Sequence, residues 1–132
     1  MKETFNFLKS AGTYYIATIN NGKPSNRPFG ALYLLDNKIY TMTSKDKNVS
    51  KQIAKDNNVC IVACYNEQWI RINCSLIDDS ENKEIKKTII KENPWVEEMG
   101  YTLDNPNFQI LYFEDAEATI YEDKDIVGEY KF

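Results

Sequence analysis

The chain has 132 residues, enough for one domain with a modest core of its own. Apolar residues make up 42% and aromatics 13% of it, which excludes a disordered chain. A net charge of −4 and a pI near 4.9 argue against a general binder of nucleic acid or of anionic membranes.

In chain order, residues 3–11 predict a short amphipathic helix, with Phe5 and Leu8 on one face and Gly12 stopping it. The opening MKETFNFLKSAG has no long apolar core, so neither a signal peptide nor a membrane span is expected, and the reading is cytoplasmic. TYYIATI (13–19) is β-branched and aromatic, and Asn20-Asn21-Gly22 is a hairpin turn signal. A partner strand is expected over 27–35, with Pro28 near its start or on an edge. Asp36-Asn37 turns into KIYTMT (38–43), and these three strands predict a β-meander.

The segment 44–57 changes period. Val49 and Ile53 lie four apart among lysines, which predicts a short helix. VCIVACY (59–65) is apolar on both faces and reads as a central strand, with Cys60 and Cys64 in the core. WIRINCSL (69–76) alternates cleanly. Ile70, Ile72, Cys74 and Leu76 point one way, and Trp69, Arg71, Asn73 and Ser75 the other.

A helix is expected over 78–93, capped by Asp79 or Ser80, with Ile85 and Ile89 buried and Lys86 on a solvated face. Asn93-Pro94 restarts a shorter helix through Met99, with Trp95 able to anchor it or to line a pocket. FQILYF (108–113), AEATIY (116–121) and IVGEYKF (126–132) read as strands. The sum is mainly β: six or seven antiparallel strands with helical insertions, in a closed or nearly closed barrel that hides its edges.

The charge is unevenly spread. Residues 23–55 hold seven bases against two acids, while residues 97–132 hold ten acids against two lysines. A cationic zone on an acidic protein points to a small anionic ligand rather than a polymer. There is no histidine, so a mononuclear zinc site or a histidine acid/base pair is excluded, and no metal site is expected. Cys60, Cys64 and Cys74 read as free thiols of a reducing compartment.

Three stretches carry possible chemistry. Arg27, one of two arginines among sixteen basic residues, precedes Pro28, Phe29 and Gly30, a segment able to edge a flat heterocycle or simply to end a strand. Thr43 and Ser44 close a strand before a helix and precede Lys45, Lys47, Asn48 and Lys51, which suits a phosphate or an ordinary helix cap with solvated lysines. The polar face of WIRINCSL carries Trp69 and Arg71, which fits a second subunit, a ligand ring or plain surface.

Taken together, YIAT, GKPSNRPFG, IYTMTSK, KNVSKQI and WIRI, in that order and spacing, resemble the pyridoxamine 5'-phosphate oxidase-like FMN-binding split barrels. Within that family the chain is most similar to the short bacterial proteins described as general-stress-protein-26-like or NimC/NimA-like. The resemblance implies a six-stranded antiparallel split β-barrel spanning 1–132 as a single domain. It also implies a homodimer with FMN in each of two clefts at the interface. By position, Arg27, Pro28 and Phe29 would run along the ring and its phosphate-side edge. Thr43, Ser44, Lys47 and Asn48 would hold the phosphate, and Trp69 and Arg71 would reach in from the neighbouring subunit. The implied function is that of a flavoprotein oxidoreductase acting on an unidentified small molecule; the alternative is a non-catalytic flavin-binding or redox-sensing stress protein. The arginine–histidine substrate motif of the true oxidases has no counterpart, since no histidine is present and no arginine follows Arg71.

Overall fold

The computed structural model describes residues 1–132. Its elements are α1 (Lys2–Ala11), β1 (Tyr14–Asn20), β2 (Lys23–Phe29), β3 (Tyr33–Leu35), β4 (Lys38–Ser44), α2 (Asn48–Lys55), β5 (Asn58–Tyr65), β6 (Gln68–Asp78), α3 (Lys83–Glu92), α4 (Pro94–Glu98), β7 (Phe108–Glu122) and β8 (Asp125–Lys131). All eight strands join one antiparallel sheet in the order β2-β1-β5-β6-β7-β4-β3, with β8 added to β7. No helix is long and apolar enough to cross a membrane.

Polar turn residues in left-handed backbone make the hairpins. Asn21 and Gly22 join β1 to β2, Asp36 and Asn37 join β3 to β4, and Asn66 and Glu67 join β5 to β6, all with positive φ. Such turns match the twist of the strands they connect.

The expected strand over 27–35 is two strands, and the expected meander does not form. β2 begins at Lys23, directly after the turn, and ends at Phe29; β3 starts afresh at Tyr33. The two stand at opposite ends of the strand order, and only the short link 30–32 joins them. Pro28 brings no N–H to a ladder, so the sheet is interrupted where the chain leaves it. The barrel is therefore split along this line.

Side chains close the seam where backbone ladders do not. The Tyr14 hydroxyl donates to the Ala31 carbonyl and lies 2.8 Å from Thr41 Oγ1, which itself donates to Ala31 O at 3.2 Å. Tyr14 and Thr41 are fully buried, and burial raises the Tyr14 pKa well above its ordinary value. Tyr14→Phe is expected to lower stability by about 1–2 kcal/mol through this lost link. Urea unfolding would read it as a lower midpoint at unchanged slope, and an unchanged midpoint would contradict the assignment.

Two cores result. Inside the barrel, Ile16, Ile39, Ile61, Ile70, Ile72, Leu76 and Leu111 pack with Leu8 of α1 and Val49 and Ile53 of α2. A second cluster joins the outer side of β4 and β7 to α3 and α4 through Tyr40, Met42, Ile85, Ile89, Val96, Phe108 and Ile110. β4 is thus buried on both faces.

Other expectations change in detail. Phe108–Glu122 is one 15-residue strand, not two, bent where Asp115 has φ 51° and the register slips between Asn73 and Ser75. Eight strands are present, where six were implied. Asn82, rather than Asp79 or Ser80, caps α3, its side chain accepting from the Ile85 N–H. Lys86 is not solvated. It is 6% exposed, and its ammonium lies 4.9 Å from the Phe108 ring centre. Burial first, and then nearby Lys45, lower its pKa. Of the cysteines only Cys74 is buried, its thiol pushed up to about 12 by burial. Cys60 is half-buried and Cys64 exposed, because β5 turns Val59, Ile61 and Ala63 inward and its cysteines outward.

Candidate functional site

A cleft of about 260 Å³ opens at the seam of the barrel. One wall is the chain from Arg27 to Ala31, where β2 leaves the sheet. Another is the end of β4 with the start of α2, contributing Met42, Thr43, Lys47 and Val49. Trp95, Met99 and Tyr101, from α4 and the turn after it, form the rim.

Arg27 sits opposite Ile16 in the β1–β2 ladder. Cross-strand neighbours share a face, so its side chain turns inward. The guanidinium is thoroughly engaged. Nη1 donates to Ile16 O (3.1 Å), Thr18 Oγ1 (2.7 Å) and Ser25 O (3.1 Å). Nη2 donates to Ser25 Oγ (3.1 Å) and to Gln52 Oε1 on α2 (2.7 Å). Arg27 therefore ties the β1–β2 hairpin to α2 and also lines the cleft. Burial lowers its pKa from the ordinary value. The chain has three ion pairs, Met1–Glu3, Lys87–Glu84 and Lys131–Glu117, so neither Arg27 nor Lys47 has an acidic partner.

The start of α2 adds to this positive character. Its N-cap is Lys47, no side chain caps it, and no acid lies in its first turn. The backbone N–H groups of Asn48, Val49 and Ser50 donate to nothing within the chain. Unpaired amides at a helix start, beside two unpaired cations, favour an anion. The rest of the cleft is apolar and partly aromatic, with Trp95 and Met99 43% and 65% exposed at its mouth. Gly30 meets no crowding, for an added Cβ would lie 3.9 Å from Gly12 O, an ordinary contact.

Of the residues singled out in the sequence, the fold brings Arg27, Pro28, Phe29, Thr43 and Lys47 together around the cleft. Ser44 is buried beside it, and its hydroxyl donates to Asp46 Oδ1 at 2.5 Å. Asn48 lines a neighbouring groove of about 390 Å³ between α2 and the β1–β2 turn. Trp69 and Arg71 lie elsewhere, on the outer face of the sheet. There the Trp69 and Tyr121 rings stack with centres 4.3 Å apart, and the Arg71 guanidinium lies 4.9 Å from the Trp69 ring centre. The ladders place Pro28, Tyr15, Val62 and Arg71 in one row across that face. Three interstrand steps, about 14 Å, separate β2 from β6 in one chain. Met42, Val49, Met99 and Tyr101 were not anticipated, because each reads as ordinary core or turn; the available signal was Trp95 on α4 and Met99 just past its end, four apart on an element too short to bury both.

Neither a family model nor a curated protein matches the chain. Among solved structures, a NimC/NimA family protein from Clostridium acetobutylicum is 31% identical, with a TM-score of 0.92 over 100% of this chain and 93% of that one. The chain belongs to the NimC/NimA family. Other structures share the fold with this NimC/NimA family member at lower identity. General stress protein 26 from Bacillus anthracis matches with a TM-score of 0.67 at 20% identity, over 96% of each chain. A pyridoxamine 5'-phosphate oxidase-related, FMN-binding protein from Nostoc punctiforme matches with a TM-score of 0.63 at 15% identity, over 98% of this chain and 91% of that one. The fold also occurs in a heme-binding protein from Mycobacterium smegmatis, with a TM-score of 0.69 at 13% identity over 98% of this chain and 56% of that one. The fold class read from the sequence, an antiparallel split barrel with helical insertions, is the fold of these structures.

Proposed function

We propose that the chain is a flavoprotein that binds FMN in the seam cleft of a homodimer and acts as an oxidoreductase on a small molecule. The observation carrying this reading is the cleft's two-part chemistry. One part offers two cations without acidic partners and the start of α2, where Val49 with its free amide lines the cleft, while the rest is apolar and aromatic. A ligand with a phosphate at one end and a flat ring at the other suits both. Lys47, Thr43 and the first amides of α2 would hold the phosphate; Pro28, Phe29 and the 30–31 backbone would border the ring. Bound there, the flavin supplies the electron-accepting chemistry, and the protein supplies orientation, electrostatics and exclusion of water.

Two features support a second copy. At about 260 Å³ the cleft is smaller than ligand pockets usually are, about 300–1,000 Å³. The outer sheet face carries Tyr15, Val62, Trp69, Arg71 and Tyr121 in a continuous surface that starts at Pro28 beside the cleft. A copy seated on that face would bring its own Trp69 and Arg71 to the open side of the cleft.

Titrating purified protein with FMN, followed by absorbance, and sizing it in solution test this directly. The expected result is one flavin per chain in a dimer. A colourless protein that takes up no FMN refutes the flavin assignment, and a flavin-loaded monomer refutes the shared site. The non-catalytic reading also has an observation in its favour. No carboxylate, thiol or imidazole lines the cleft, so no side chain there is an evident general acid or base. A bound flavin that neither NADH nor NADPH reduces would favour that reading.

A further inference from the structure

The acceptors around Arg27 are unusual in kind. Five oxygens surround the guanidinium, from Ile16, Thr18, Ser25 (two) and Gln52, and every one is neutral. The chain has twenty acidic residues, yet none forms an ion pair with Arg27. Half-buried arginines are commonly met by a carboxylate, whose planar pair of oxygens fits the guanidinium fork. Gln52 stands where such a carboxylate would fit. Its Oε1 accepts at once from Arg27 Nη2 at 2.7 Å and from the Thr18 hydroxyl at 2.5 Å. Glutamate has the same shape and would keep both bonds. A second observation lies one turn away. α2, the helix that carries Gln52, has no acid in its first turn and leaves three amides free at its start; Val49 lines the cleft, while Asn48 and Gln52 line the neighbouring groove.

The geometry points to Gln52 as the residue that sets the charge of the cleft: its neutral amide anchors Arg27 without cancelling it, so that the guanidinium's positive charge acts on a ligand's phosphate. This makes Gln52 a positioning and specificity-determining residue that selects phosphorylated over unphosphorylated ligands without touching either. It rests on the reading of the cleft as a flavin phosphate site. In physical terms, the neutral dipoles hold the cation in place, and its field acts on a ligand bound in the cleft beside it.

Gln52→Glu tests the inference because it changes charge and almost nothing else. The wild-type protein, Gln52→Glu and Gln52→Met are each titrated with FMN, with riboflavin and with inorganic pyrophosphate, and each is thermally unfolded. Gln52→Glu is expected to melt no lower than wild type and to bind riboflavin equally well. Its affinity for FMN and for pyrophosphate should fall by roughly tenfold or more at low salt. That loss should shrink as salt approaches about 1 M, where charges are screened over about 3 Å. Gln52→Met loses the anchor but stays neutral, so it should melt lower yet keep most of the preference for FMN over riboflavin.

Equal FMN affinity in Gln52→Glu and wild type overturns the inference and leaves the flavin reading standing. Pyrophosphate binding that Gln52→Glu abolishes, in a protein that takes up no flavin, supports the inference and overturns the flavin reading. A wild-type protein that binds neither pyrophosphate nor FMN overturns both. Loss of the FMN preference in Gln52→Met as complete as in Gln52→Glu also overturns the inference, since the anchor rather than the charge would then matter.

Discussion

Arg27→Ala is expected to bind FMN about 10–100-fold more weakly than the wild-type protein and to unfold more readily. The two effects have separate causes. The guanidinium gives hydrogen bonds to Ile16, Thr18, Ser25 and Gln52, so its removal leaves partly buried acceptors without donors. That loss costs about 1–3 kcal/mol of stability. It also removes one of the two unpaired cations at the cleft, and a charge-assisted interaction of about 1.5–3 kcal/mol accounts for the fall in affinity. Arg27→Lys separates the effects. Its ammonium keeps the charge but cannot reproduce the planar fork, so flavin affinity should recover more than stability does. The suitable control is Lys87→Ala, since Lys87 is 56% exposed and paired only with Glu84 on the surface. Lys86 would be a poor control because it is buried. Equal flavin retention in Arg27→Ala and Lys87→Ala would remove Arg27 from the site.

The largest loss of stability is expected from Phe108→Ala, about 3–5 kcal/mol. Phe108 is fully buried at the start of β7. Its ring meets Tyr101 with centres 5.6 Å apart, and the Lys86 ammonium packs over it. Truncation opens a cavity in the cluster that fastens α3 and α4 to the sheet, and it leaves a buried ammonium without its aromatic neighbour. Against a total stability of about 5–15 kcal/mol, that is a large fraction. Because Tyr101 lines the cleft, the variant should also hold flavin less tightly than its remaining stability alone predicts. Urea unfolding and flavin titration of the same preparation would show both. An unfolding free energy within about 1 kcal/mol of wild type would contradict the packing described for this cluster.

The alternating pattern of 69–76 reads directly as a strand with one buried face, and the structure keeps every residue on its expected side. The amphipathic helices α1 and α2 and the proline-started α4 are equally visible, because each has a local cause. The seam is not. Whether 27–35 is one strand or two depends on where its neighbours are held: β2 pairs with β1 and β3 with β4, but β1 is paired to β5 and β4 to β7, and only those later strands set the two halves apart. Lys86 illustrates the same limit. Lysine in a helix with charged neighbours reads as solvent-facing, and only the packing of α3 over Phe108 reveals otherwise. In the cleft, the residue types around Arg27 and Thr43 were informative because rare or clustered polar groups advertise themselves. Met42, Val49 and Tyr101 carry no such mark, since apolar residues serve cores and pockets alike.

β7 is hydrogen-bonded to three strands at once, to β4 and β8 along one side and to β6 along the other. β4 bears Met42 and Thr43 of the cleft, while β6 bears Trp69 and Arg71 on the outer face. Fluctuations that widen the cleft must work against the same ladder that keeps the outer face in register. On the reading proposed for the cleft and the outer face, a ligand that quiets the one would quiet the other, and occupancy and assembly would favour each other by equal free energies.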